Sequence, residues 1–137
     1  MKLLTIFILL FLSFTSLAQC EESSAAFKFK KYTSLEQAML EPDSVFYLDL
    51  SRSKLRQLPQ DVYAFKNLTV LILGRNRLVE IPEKIGNLRC LKTLSVERNK
   101  LERIDNGVFR LKHLEHLNLS NNEIRAIPLS LMHQQFL

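Results

Sequence analysis

Residues Leu68–Cys90 read LTVLILGRNRLVEIPEKIGNLRC, and this stretch of 23 residues decides the fold. Leu71 and Leu73 are two apart with Ile72 between them. Side chains alternate across an extended chain, so Leu71 and Leu73 face one way and Ile72 the other. Leu78 and Ile81 turn to the inward side again after the polar segment Gly74-Arg75-Asn76-Arg77. Pro82 pushes Ile81 toward extended geometry, so the chain leaves the turn without a long helix. Ile85 and Leu88 then fit one face of a short helical or 3₁₀ turn. Such a unit is one short strand with a return segment, and it cannot bury its apolar side chains alone.

The unit recurs. Units begin at Val45, Leu68, Leu91 and Leu114, 23 residues apart each time. Position four holds Leu48, Leu71, Leu94 and Leu117, and position six holds Leu50, Leu73, Val96 and Leu119. Leu55, Leu78, Leu101 and Ile124 share position eleven. Leu58, Ile81, Ile104 and Ile127 share position fourteen, and Val62, Ile85, Val108 and Leu131 position eighteen. Phe65, Leu88 and Leu111 occupy position twenty-one, where the fourth unit has Gln134. Stacked units place their strands side by side in a parallel sheet over continuous apolar columns. Position nine is polar: Ser53, Asn76, Asn99 and Asn122. A side-chain amide donates and accepts, so these asparagines are expected to satisfy loop backbone of their own coil and the next, with Ser53 doing part of that work.

In the pattern LxxLxLxxNxLxxIPxxIxxLxx the chain resembles the leucine-rich repeat family. Its proline and 23-residue period look like the Ras-suppressor class, which is also widespread in bacteria. The third unit, with Ile104-Asp105-Asn106-Gly107-Val108-Phe109, is nearer the extracellular GxF variant. The resemblance implies an α/β solenoid: a right-handed coil with a short parallel β-sheet on its concave face and short helical or 3₁₀ turns on its convex face. It also implies that the strand side binds proteins.

Residues 1–18 read as a signal peptide, with Lys2 before the apolar run Leu3–Leu12 and small residues leading to cleavage after Ala18. The run is short for a membrane span, which needs roughly 20 apolar residues. The protein is therefore expected to be exported, and to be secreted, periplasmic or held at the cell surface. Leu17-Ala18-Gln19-Cys20 also resembles a lipobox, and a lipid anchor at Cys20 is the competing route. Residues 19–32 form a tail, in which Glu21–Lys31, polar with Phe27 and Phe29 on alternate positions, is either a tether or a weak first strand. Residues 33–44 are expected to form an N-terminal cap helix. There Thr33 and Glu36 have capping-box spacing, and Leu35, Ala38, Met39 and Leu40 form an apolar face against the first repeat. Four repeats fill 45–137, as 45–67, 68–90, 91–113 and 114–136. The end of the fourth lacks a visible cap, and the last coil either frays or pairs its open edge with another chain.

Composition narrows the chemistry. A net charge of +5 is a modest excess that fits acidic surfaces without indicating nucleic acid. His113, His116 and His133 lack partners at metal-ligand spacing, and no phosphate loop or nucleophile elbow is present. No catalytic residue, cofactor or metal is expected. Two cysteines make no disulfide framework. Cys90 is expected to be an unpaired, partly covered thiol, which Cys20 reaches only if the tail folds back.

The strand register exposes Phe46, Tyr47, Asp49 and Arg52 in the first unit, Thr69, Val70, Ile72, Gly74 and Arg75 in the second, Arg98 in the third and His116 in the fourth. Phe46, Tyr47, Val70 and Ile72 gather apolar surface on the first two strands, which marks a protein partner unless the N-terminal cap or tail covers them. Arg52, Arg75 and Arg98 at position eight and Lys54, Arg77 and Lys100 at position ten form a basic stripe. It serves either as a solvated edge or as a surface for acidic protein, acidic glycan or lipid headgroups.

Overall fold

The computed structural model describes Cys20 and residues 30–126. The signal peptide, most of the tail and the last part of the fourth unit, including Ile127, Leu131, Gln134 and the uncapped end, lie outside the described residues. One five-stranded parallel sheet runs through the molecule in chain order: β1 (Lys31–Tyr32), β2 (Tyr47–Asp49), β3 (Val70–Ile72), β4 (Thr93–Ser95) and β5 (His116–Asn118). Tyr47 pairs with Val70, Val70 with Thr93 and Thr93 with His116, so each step across the sheet is one 23-residue period along the chain. The return segments carry 3₁₀ turns at Gln60–Ala64, Glu83–Asn87 and Val108–Arg110. Pro59 and Pro82, in extended geometry, stand directly before the first two of these turns.

The apolar columns form one core. Leu48, Leu71 and Leu94 are fully buried, as are Val62, Ile85 and Phe65 on the return side. Each coil thus covers its neighbour, and removing any of these leucines would open a cavity costing about 2–5 kcal/mol. In the fourth unit Leu114, Leu119 and Ile124 are only partly buried and Leu117 is exposed, because no further coil stands against them among the described residues.

The asparagine column turns out to reach backward. Asn99 Oδ1 accepts the amide of Leu78 at 2.9 Å, and its Nδ2 donates to the carbonyls of Leu73 and Val96, both at 3.0 Å. Asn76 and Asn122 repeat the arrangement one coil earlier and later. The Leu73 and Val96 carbonyls therefore each accept from two successive asparagines. Ser53 does not share in this work. It is exposed, and its hydroxyl reaches only the Ser51 carbonyl at 3.5 Å. The reason is positional: the first unit has no earlier loop to hold.

The N-terminal end departs from the sequence expectation in three ways. A two-residue strand, β1, adds to β2 at Lys31–Tyr32 with the Tyr32 ring buried, at the far end of the segment considered for a first strand, whose Phe27 and Phe29 lie outside the described residues. Helix α1 spans only Leu35–Met39, Ser34 rather than Thr33 precedes it, and no side chain caps it. Its inward face is Ala38 with Leu35, whereas Met39 is 41% and Leu40 81% exposed. Five residues make little more than one turn, too short to present four apolar side chains to one surface. The chain then passes through a second turn at Pro42–Ser44 before entering β2.

Cys20 and Cys90 are joined by a disulfide, so the expectation of a free thiol at Cys90 is wrong. Cys20 is thereby held at the junction between the second and third units, where Cys90 closes the second.

Gly107 explains the divergent third unit. A Cβ built there would overlap the carbonyl oxygen and carbon of Glu83. The neighbour is backbone and cannot swing away. Arg110 closes the same junction by donating to that carbonyl at 3.0 Å. Gly107→Ala must push the second and third return segments apart. A loss of about 2 kcal/mol is expected in urea unfolding, with Gly74→Ala, whose Cβ meets mainly the movable Glu97 side chain, losing less.

Candidate functional site

The sheet presents three rows of side chains that the core does not claim. The first contains Tyr47, Val70, Thr93 and His116, and the second Asp49, Ile72, Ser95 and Asn118. The third contains Arg52, Arg75, Arg98 and Asn121, just beyond the strand ends. Tyr47, Asp49, Val70 and Ile72 thus meet as a four-residue patch on two adjacent strands, all half-buried. His116 lies at the far end of its row, three strand spacings or about 14 Å from Tyr47. Phe46 stands outside these rows. Its counterpart Thr69 is 5% exposed, and Gly74 is buried too, so neither belongs to the open face as the simple register suggested.

Strand β1 borders the patch. Lys31 pairs with Asp49 at 2.6 Å and lies 5.4 Å from the centre of the Tyr47 ring. Sequence reading missed Lys31, because its place follows only once β1 is docked in register. Burial alone would raise the Asp49 pKa, but hydrogen bonds from Lys31 and from the Ser51 hydroxyl and amide, with the Lys31 charge, hold it below the ordinary value. That contribution to stability is in place above the ordinary value and is lost as pH falls through the lowered one. The N-terminal strand therefore covers one margin of the patch and leaves the Val70 and Ile72 side half-open.

The cationic rows have an unexpected backbone. Arg52, Arg75 and Arg98 have φ of 59°, 58° and 54°, and Asn121 has 56°. This left-handed conformation suits glycine or asparagine and disfavours a long side chain by roughly 1 kcal/mol. The fourth unit has the residue the backbone prefers, and the first three have arginine. The conformation is pinned, since Arg52, Arg75 and Arg98 donate their amides to the carbonyls of Gly74, Glu97 and Ser120 in the next coil. At position ten, Arg77 and Lys100 donate backward to Leu55 and Leu78. Among the described residues, none of Arg52, Lys54, Arg75, Arg77, Arg98 and Lys100 makes an ion pair, although six ion pairs form elsewhere. These are exposed cations projecting from fixed backbone.

A trade-off follows from the left-handed arginines. Arg75→Asn is expected to raise the unfolding free energy by about 0.5 kcal/mol in urea melts. It should also weaken whatever ligand the cationic row holds, so stability and binding should move in opposite directions.

Among the described residues, no group of His, Cys, Asp and Glu could hold a metal ion, and no helix is long and apolar enough to cross a membrane.

A family model described as leucine rich repeat matches residues 43–101 and 89–134. Among solved structures, a leucine-rich repeat protein of Leptospira interrogans is similar, with 30% sequence identity and a TM-score of 0.56 over 74% of this chain and 32% of that one. The chain thus spans about a third of that relative's length. None of the curated proteins matches.

Proposed function

The chain belongs to the leucine-rich repeat family, whose domains are in general protein-interaction scaffolds and typically not enzymes, and on that premise we propose that it is an exported module that binds a protein partner through its concave strand face. The carrying observation is the patch of Tyr47, Val70 and Ile72 beside Asp49, set on hydrogen-bonded strands with a row of exposed arginines along one edge. Aromatic and aliphatic anchors fixed by backbone need little ordering on association, and arginine at the margin adds charge steering. Export is supported by the signal-like residues 1–18 and by the Cys20–Cys90 disulfide, a bond that persists in oxidising compartments. The sulfur of Cys20 cannot carry a thioether lipid while it is bonded to Cys90, which favours the secreted or periplasmic form over the lipid-anchored one.

The test is a binding scan with material from outside the cytoplasm. Tyr47→Ala, Ile72→Ala and Arg75→Ala are each expected to reduce recovery of the partner at unchanged melting temperature. Full recovery with all three moves the site off this face.

A second reading is favoured by the unpaired cations of positions eight and ten, which suit an acidic glycan or lipid headgroups. It predicts binding that weakens steeply with salt and is lost on changing Arg52, Arg75 and Arg98 to Glu. Salt-independent binding contradicts it.

A further inference from the structure

Next to the position-ten cations, three successive coils enclose an open hollow of about 580 Å³ lined by Arg56, Gln57, Arg77, Val79 and Lys100. The first unit supplies Arg56 and Gln57, the second Arg77 and Val79, and the third Lys100. Two arginines, a lysine and a glutamine line it, and among the described residues no acidic residue does. Among the described residues, Arg56, Arg77 and Lys100 have no ion pair. Arg77 and Lys100 also stand on backbone pinned to the preceding coil, at 2.8 and 2.9 Å. Three cations drawn around one space repel each other, and an anion placed among them removes that repulsion.

We propose that this hollow binds a sulfate or phosphate ester carried on a sugar of a linear acidic glycan. The proposal rests on the second, electrostatic reading above and gives it a defined subsite. Cations arriving from three coils suit a tetrahedral group with several outward oxygens better than a planar carboxylate, which one guanidinium already saturates. The Gln57 amide can address a neighbouring hydroxyl or ester oxygen. The hollow is open to one side, so it accepts a group attached to a passing polymer. The polymer's further charges fall along Arg52, Arg75 and Arg98, which repeat at the strand spacing of about 4.8 Å. A sugar is favoured over a membrane because Val79 is the only apolar residue at the hollow among the described residues, and one half-exposed valine cannot anchor a surface in the acyl layer.

The experiment titrates glucose 6-sulfate, glucose 6-phosphate and glucuronate into the isotope-labelled protein at one ionic strength, followed by amide NMR. At least one ester is expected to bind about tenfold more tightly than glucuronate and to shift the Gln57, Arg77 and Lys100 signals, and the tighter ester identifies the source. The variant R56A/R77A/K100A is expected to lose that preference. R52A/R75A/R98A removes the same number of charges and should keep it, while both variants melt with the wild type. Equal affinity for the three sugars, or equal loss of preference in both variants, overturns the subsite and leaves a diffuse basic stripe standing. No binding of dextran sulfate at low salt overturns the electrostatic reading and the subsite together. Binding to phosphatidylglycerol vesicles that neither ester displaces overturns the assignment to a glycan.

Discussion

Asn99→Ala is expected to destabilise the protein by about 3–5 kcal/mol, with a fall in Tm of about 15 °C or more. Asn99 is buried, and its amide holds four backbone groups drawn from two coils, the Leu78 amide and the carbonyls of Leu73, Val96 and Glu97. The losses differ in kind. The Leu78 amide has no replacement in its buried setting, and an orphaned buried donor costs about 1–3 kcal/mol. The Leu73 and Val96 carbonyls keep one asparagine each, so each loses about one ordinary hydrogen bond. A small void adds the rest. Because Asn99 stitches the second unit to the third, the urea transition should also broaden, as coupling between neighbouring repeats is what makes such arrays unfold together. Ser53→Ala is the control in the same column and should change stability by less than about 0.5 kcal/mol. Equal effects from the two variants would show that the ladder does not hold the coils.

Reduction of the Cys20–Cys90 bond, or Cys20→Ser, is expected to remove about 2–4 kcal/mol of stability. The bond spans a sequence separation of 70, for which loop-closure entropy sets an upper value of about 4 kcal/mol. Thermal melts with and without dithiothreitol read this directly. The wild type should melt lower in the reductant, close to Cys20→Ser, and the variant should not respond. Melts of the wild type that ignore the reductant would contradict a structural role for the bond.

The core was readable because repetition states each constraint several times. A single Leu71 is ambiguous, but Leu48, Leu71 and Leu94 in phase are not. Features that occur once had no such support. The disulfide depends on the path of a tail that no repeat dictates, and β1 is two residues long, too short for alternation to announce. Met39 and Leu40 look like core by spacing, yet a helix of five residues cannot turn them inward. The direction of the asparagine bonds was equally hidden. It emerges only when Ser53, which has no earlier coil to serve, is seen facing solvent. On the candidate face, period two separated Val70 and Ile72 from the core but left Gly74 on the surface, whereas Thr69, counted there as exposed, has the parity of Leu71 and is buried with it. The left-handed backbone of the arginines lies in the loop, where no periodicity applies.

The most direct test of a partner-binding strand face is site-specific photocrosslinking in the living cell. A benzophenone amino acid is placed at Ile72 on the sheet or at Lys112, exposed on the return side. The Ile72 probe is predicted to give a discrete protein adduct that Arg75→Ala weakens, with none from Lys112. Adducts from Lys112 alone, or the same adduct from both positions, would contradict recognition through this face.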